Sequence, residues 1–226
     1  MTNGPRIALI HALRDSMVPI WDAFSTGWPE AQTFNVLDDS LSADLAAEGE
    51  LTDAIVNRFI TLGRYARDTS ANGKTTDAIL FTCSAFGPAI NAVKNELDIP
   101  VFTPNEAAFG EALSIDCGIG LIVSFPPSEH ALSAELSEAA AAGGISLNLT
   151  SSVANGALAA LQSGDGPRHD EIIAETAETM SDVGCIVLGQ FSMARAAHEV
   201  RQRSKTPVIT TPAAAVARLR AMLAGP

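Results

Sequence analysis

Cysteine is scarce in this chain: 226 residues hold three, Cys83, Cys117 and Cys185. The odd count fits no metal spacing such as C-x-x-C, and it reads as free thiols of a reduced, cytoplasmic protein. Basic residues are few as well: 14 Lys+Arg against 26 Asp+Glu give a formal net charge of −12. With no basic stripe, nucleic acid and anionic membrane surfaces are poor candidates for partners. Long apolar runs are missing, and none approaches the ~18 residues of a membrane span. Residues 1–13 carry only the short run Ile7–Ile10, a strand length without the features of a secretory signal. Asn148-Leu149-Thr150 matches a glycosylation sequon, which has no meaning without a secretory route. Walker A and G-x-G-x-x-G motifs do not occur, and no His/Cys/Asp cluster has ligand spacing, so neither a metal nor a nucleotide cofactor is expected.

Apolar residues make up an ordinary 47% of the chain, and charged residues only 18%, against a typical ~25%. The length allows one large domain or two small ones. It suffices to bury roughly 70–75% of the surface the unfolded chain exposes. Short apolar runs alternate with helical patterns. Strands are expected at Ile7–Ala12, Thr33–Leu37, Ala78–Thr82, Pro100–Phe102, Ile119–Phe125, Ile145–Leu149, Gly184–Leu188 and Pro207–Thr210. Leu51, Ile55, Phe59 and Leu62 fall on one helical face. Further helices are expected at Pro88–Leu97, Glu106–Leu113, Glu129–Ala142 (closed by Gly143-Gly144), Asp170–Met180, Met193–Gln202 and Pro212–Met222. Alternation of this kind implies parallel sheets with right-handed crossovers.

The series runs twice. Ala78–Cys83 aligns with Cys185–Gln190 at an offset of 107, and the same offset carries Pro100 onto Pro207 and Thr103 onto Thr210. The strand at Ile7 aligns with that at Ile119 at an offset of 112, so the second half is about five residues shorter between the two strands. The segment Leu41–Gly49, read as a loop, is the expected place of the loss. The fold class is therefore α/β, in two pseudo-symmetric parallel-sheet lobes, 1–116 and 117–226, with the boundary near Asp116-Cys117-Gly118.

In parallel α/β sheets chemistry gathers at the carboxyl ends of strands. Four such ends stand out: His11–Ser16, Thr82–Gly87, Ser124–Ser128 and Gly189–Ser192. Cys83 is the sharpest residue among them. It precedes an expected helix start, where the dipole would favour the thiolate and backbone N–H groups could hold a carboxylate. His11 is a candidate substrate contact or proton partner. His130 and His198 read as solvated helix residues, and His169 as part of a polar surface loop. Thr103 and Thr210 are candidate pocket residues.

Thr82-Cys83-Ser84-Ala85 after an apolar strand, with the series repeated in a second half, resembles the aspartate/glutamate racemase superfamily. That group includes glutamate, aspartate and hydantoin racemases, maleate isomerase and arylmalonate decarboxylase. The resemblance implies an active site in the cleft between the lobes, no cofactor, a small carboxylate substrate and a possible homo-oligomer. It also implies a pair of cysteines, one from each half, that remove and deliver the α-proton on opposite faces. The second cysteine position is here Gln190, an amide that neither gains nor loses a proton near neutrality. The decarboxylase branch keeps one cysteine, but in the second half, and places a tyrosine where this chain has Phe125.

The expected site is then Cys83 as acid/base, with His11, Thr82, Ser84, Ala85, Phe125, Ser128, Gly189, Gln190, Phe191 and Ser192 around the substrate. The expected activity is a cofactor-independent racemase or isomerase working by thiol proton transfer. The alternatives are a one-cysteine decarboxylase or lyase, a hydrolase-like site with Cys83 activated by His11, and a carboxylate-binding relative without catalysis.

Overall fold

The computed structural model describes residues 4–71, 73–115 and 117–223. Its contacts divide the chain into two compact units, Met1–Pro104 with Ala215–Pro226, and Asn105–Ala214.

The first unit runs β1 (Arg6–His11), α1 (Met17–Gly27), β2 (Gln32–Leu37), α2 (Leu41–Glu48), α3 (Asp53–Asp68), β3 (Ala78–Phe81), α4 (Gly87–Glu96) and β4 (Val101–Phe102). All its strand pairs are parallel, in the order β2-β1-β3-β4. β1 and β3 are central and almost wholly buried, as continuous apolar runs require. β2 is an edge strand and alternates between half-buried and exposed positions. Helix α3 starts on a Thr52 cap, whose hydroxyl accepts from the Ile55 N–H at 3.4 Å. It packs Ile55, Phe59 and Ala66 inward. The Phe59 ring lies 5.3 Å from that of Phe81 and 4.8 Å from that of Phe86. Gly63 lets α3 close on α4, since a Cβ there would come within 2.5 Å of Val93 Cγ1.

The second unit runs α5 (Glu106–Ser114), β5 (Ile119–Val123), α6 (Pro126–Ala142), β6 (Leu149–Val153), α7 (Ala157–Gln162), α8 (Gly166–Glu178), β7 (Cys185–Leu188), α9 (Ala197–Arg203) and β8 (Val208–Thr210). Its sheet is again parallel, in the equivalent order β6-β5-β7-β8. The final helix α10 (Thr211–Leu223) begins here. From Ala215 onward it belongs to the first unit, where Arg220 donates to the carbonyl of Gly27 at 2.9 Å.

The register bears the repeat out. Ile7 pairs with Ala78 and Ile119 with Cys185. Ile79 pairs with Val101 and Ile186 with Val208. The difference in spacing arises in two places. Ile7 pairs with Thr33, and Ile119 with Leu149, so the first crossover is four residues longer in the second unit and the next is nine shorter. Leu41–Gly49 is mostly helix α2 and not a loop. Short, weakly periodic α2 and α7, and α1 with its internal proline, left no clear pattern in the sequence.

Two other expectations are corrected. The strand expected at Ile145–Leu149 lies at Leu149–Val153. Its residues Leu-Thr-Ser-Ser-Val form an edge strand whose polar face hides the period. Gly144, at φ +67°, takes the left-handed turn after α6, and Gly143 stays right-handed. Contacts draw the line between the units at Pro104/Asn105, whereas the strand repeat draws it near 116/117, and Asp116 itself lies outside the described residues. Helix α5 packs on α6, β7 and β8, so contacts place it in the second unit although the strand repeat places it in the first.

Candidate active site

Each unit presents one matching strand end. In the first, Cys83 comes after β3 in extended conformation (φ −119°, ψ 119°) and caps a 3-10 turn, Ser84–Phe86. In the second, Gln190 comes after β7 (φ −134°, ψ 144°) and caps the 3-10 segment Phe191–Ala196. The residue before each is tied to the neighbouring strand alike. Thr82 N–H donates to Ile10 O at 3.0 Å, and Gly189 N–H to Ile122 O at 2.8 Å. The two frames thus correspond bond for bond, and the chemistry placed on them differs.

At the first end, the Cys83 sulfur is hydrogen-bonded to the Ala85 N–H and the Ser42 hydroxyl. The Ser42 Oγ, in α2, also lies 3.1 Å from Ala12 O. Arg58 holds the entry to α2 in place through Asp38 at 2.5 Å, Ser40 at 2.6 Å and Asp44. Burial tends to raise the Asp38 carboxyl, but hydrogen bonds from Arg58 and Ser40 bring it below its ordinary value. Cys83 is half-buried, so solvent reaches part of the residue, yet the protein around it makes a thiolate costly. Burial pushes the thiol up to about 11, against the pull of Ala85 and Ser42. The expected helix-dipole activation is therefore corrected. A three-residue turn separates Cys83 from α4, which begins only at Gly87, so the thiol is beyond the short reach of a helix end. The resting group is a thiol that holds its proton.

His11 is fully buried with both ring nitrogens engaged. The Trp21 indole N–H, which can only donate, meets Asn35 Oδ1 at 2.9 Å and so fixes the orientation of that amide. The same oxygen lies 2.9 Å from His11 Nε2, so Nε2 carries the proton and Nδ1 accepts. The Thr82 hydroxyl donates to Nδ1 at 2.8 Å. With that proton committed, Ser16 Oγ is the donor to Thr82 Oγ1 at 2.8 Å or to Leu13 O at 2.7 Å. Burial lowers the His11 pKa against the Asn35 bond, which raises it. His11 thus props Thr82, the residue before the thiol. It is not among the partners of the Cys83 sulfur, and the arrangement gives no support to a His11-activated nucleophile.

At the second end, Gln190 Oε1 accepts from the Ser124 N–H at 2.6 Å and from its hydroxyl at 2.8 Å. The backbone donor settles which end of the amide is oxygen. The NH₂ of half-buried Gln190 is left as a fixed double donor. Ser84 and Ala85 are half-buried at the first end. At the second end, Gly189 and Phe191 are buried, Ser192 is half-buried, Ser128 is buried in the first turn of α6, and Phe125 is exposed at its cap. Asn105, at the start of α5, and Thr211, at the start of α10, are fully buried, and Asn105 Nδ2, Asn105 Oδ1 and Thr211 Oγ1 have no partner among the described residues.

His169 corrects another expectation. It is in α8 and fully buried, with Nδ1 2.8 Å from Asp170 Oδ1. Asp170 is also held by Arg195 Nε at 2.9 Å. His130 is in α6 and His198 in α9. Sequence reasoning missed Ser42, Ser16, Asn35 and Trp21. The match of Ser16 to Ser128 at the offset of 112 was the one available sign. Among the described residues, no group of three or more His, Cys, Asp or Glu could hold a metal ion. Among the same residues, no helix is long and apolar enough to cross a membrane.

Several solved structures share the fold. Glutamate racemase isoform RacE1 from Bacillus anthracis superposes with a TM-score of 0.73 at 13% identity, over 99% of this chain and 83% of that one. Allantoin racemase from Klebsiella pneumoniae gives 0.68 at 20% identity, over 98% and 88%. Unliganded arylmalonate decarboxylase gives 0.59 at 15% identity, over 98% and 93%. No curated protein sequence matches. The family profile described as Asp/Glu/Hydantoin racemase matches residues 29–219. With most of its sequence matched, the chain belongs to the Asp/Glu/Hydantoin racemase family.

Proposed function

We propose that this protein is a cofactor-independent enzyme of the racemase/isomerase type, which moves a proton at the carbon next to a carboxylate through the thiol of Cys83. The observation that carries the reading is the unequal pair of strand ends, a protonated thiol on one and a fixed amide donor on the other. Removing or replacing a group on an α-carbon leaves an enediolate-like carbanion. Its oxygens need donors, and its carbon needs a proton from a defined face. Cys83, with its proton held at neutral pH, is suited to deliver that proton as a general acid. The Ser84 backbone N–H at the first strand end and the Gln190 NH₂ at the second are donors of the kind such oxygens need, and a preorganised donor of this sort typically contributes about 3–4 kcal/mol.

A one-way variant, decarboxylation or another lyase step, is favoured by Gln190 itself. Two-way racemisation needs a second proton carrier, and an amide is not one. The test is to incubate the protein in D₂O with amino acids, hydantoins and substituted malonates, following α-deuteration, optical rotation and CO₂. Turnover lost in Cys83→Ala supports the reading. Deuteration with equal racemisation favours the isomerase, and CO₂ release with one enantiomer favours the decarboxylase. Binding without turnover of any of these acids, or turnover that survives Cys83→Ala, overturns it.

A further inference from the structure

The other two cysteines, which the proposed chemistry does not use, meet each other. Cys185 opens β7, pairs with Ile119 of β5 and is fully buried. Cys117 stands two residues before β5 and is half-buried. The Cys117 side chain lies flat on Gly184, where an added Cβ would collide with its Cβ and Sγ. The space at Gly184 is what lets Cys117 turn toward the strand. The backbone is pinned there, with Gly184 N–H donating to Gly118 O at 2.7 Å. Cys117 packs against the same apolar cluster in which Cys185 is buried, and in the reduced protein both remain free thiols. This pair is at the amino edge of the second sheet, whereas Ser124 and Gln190 come after the carboxyl ends of its strands.

We propose that Cys117 and Cys185 form a reversible intramolecular disulfide when the protein meets hydrogen peroxide, with Cys117 as the attacking and Cys185 as the resolving thiol. Cys117, the more exposed, attacks one peroxide oxygen as thiolate. The O–O bond breaks, leaving Cys117 sulfenic acid and one water once protonated. The Cys185 sulfur then attacks the Cys117 sulfur, the S–O bond breaks, and the departing hydroxide takes the Cys185 proton as a second water. Two thiols lose two electrons and two hydrogens, and one peroxide becomes two waters. The bond closes a chain loop that contains α6, β6, α7 and α8, and cross-links around long loops stabilise chiefly by restricting the unfolded chain.

The full-length protein is treated with one to a few equivalents of peroxide, then alkylated and mapped by mass spectrometry. The intact mass should fall by about 2 Da, with a Cys117–Cys185 linked peptide that dithiothreitol separates and Cys83 still alkylatable. The oxidised protein should melt higher than the reduced one by about 5 °C or more. Cys117→Ser, at a half-exposed position outside the sheet, should show neither effect. Gly184→Ala, which displaces the Cys117 side chain, should slow cross-linking several-fold. The proposal is overturned if Cys117 and Cys185 both stay alkylatable after peroxide has modified Cys83. It is equally overturned if the linkage involves Cys83 or a second chain, or if oxidised and reduced protein melt together.

Discussion

The two units carry different side chains on one backbone frame. Where the first has His11, Ala12, Thr82 and Cys83, the second has Val123, Ser124, Gly189 and Gln190. In the first unit the strand end rests on a polar network that runs inward from exposed Trp21 and Asn35 to buried His11, Thr82 and Ser16. In the second, Gly189 is packed against Leu121, Leu132 and the Ile122 carbonyl, and the polar group is the amide bonded to Ser124. A polar network in a protein interior stabilises only when every member is satisfied, so the first unit's arrangement is retained at a risk that apolar packing avoids. The gain is a thiol whose position and protonation are both set. The second unit sets a donor that does not titrate. A repeat can thus keep its hydrogen-bonded frame while one copy holds a thiol and the other an amide, the difference on which the proposed function rests.

The largest effect that would break this division is at Cys83. General acid–base groups typically contribute ~10²–10⁴-fold, so Cys83→Ala should lower turnover by that order while the melting temperature changes little. Full activity in the variant would make the two ends equivalent again. The converse substitution sharpens the comparison. Gln190→Cys places a second proton carrier on the matching frame, and racemisation of a substrate that the wild type protonates from one face should rise at least tenfold, within the typical contribution of such a group. Ser124 loses its acceptor in that variant, so a small loss of stability should accompany the gain. Unchanged stereochemistry would show that the amide is not what restricts the reaction.

Exchanging the residues before each cap tests the packing. In Gly189→Thr the new Cβ would lie 3.1 Å from the Leu121 and Leu132 methyls and 3.2 Å from Ile122 O, before the rest of the threonine is added. Overpacking of this kind typically costs about 1–3 kcal/mol. Thr82→Val in the first unit keeps the volume but removes the donor to His11 Nδ1. Leaving a buried group without its partner typically costs about 1–3 kcal/mol. Denaturant unfolding should therefore show both variants destabilised for opposite reasons, one by crowding and one by an unmet acceptor. A Thr82→Val variant as stable as wild type would mean that the network does not support the thiol.

Much of this was open to sequence reasoning, and the parts that were not have physical causes. The buried strands β1, β3, β5 and β7 are continuous apolar runs, so they and their repeat could be read directly. The Cys83 and Gln190 correspondence came from the offset of 107. The protonation of the thiol did not, because it depends on how much protein surrounds the sulfur and on Ser42, which reaches it from a helix with no clear period. The His11 network escaped for a similar reason. It joins residues 11, 16, 21, 35 and 82, and only folding brings together a donor, an acceptor and a ring so far apart in the chain. His169 looked solvated because its neighbours are polar, and yet the helix turns it inward while Asp170 bonds to Arg195.

The smallest expected effect is a pH dependence that separates the two units. Burial depresses the His11 pKa below its ordinary value of 6.5, so the folded ring stays neutral where the unfolded one takes up a proton. The unfolded state then binds more protons, and stability rises with pH through this range. The contribution is fully present above about 6.5 and declines as pH falls from there toward the depressed value. The second unit has Val123, a side chain that does not titrate, at the corresponding place. Denaturant midpoints measured from pH 7.5 down to 5 should therefore fall in the wild type, ahead of the loss of the Asp38 ion pair, which occurs only as pH drops below the ordinary carboxylate range. In His11→Gln the slope between pH 7.5 and 5 should flatten, on top of a general loss of stability from the altered network. An equal slope in that variant would place the titrating group elsewhere and remove His11 from the account of how the thiol is held.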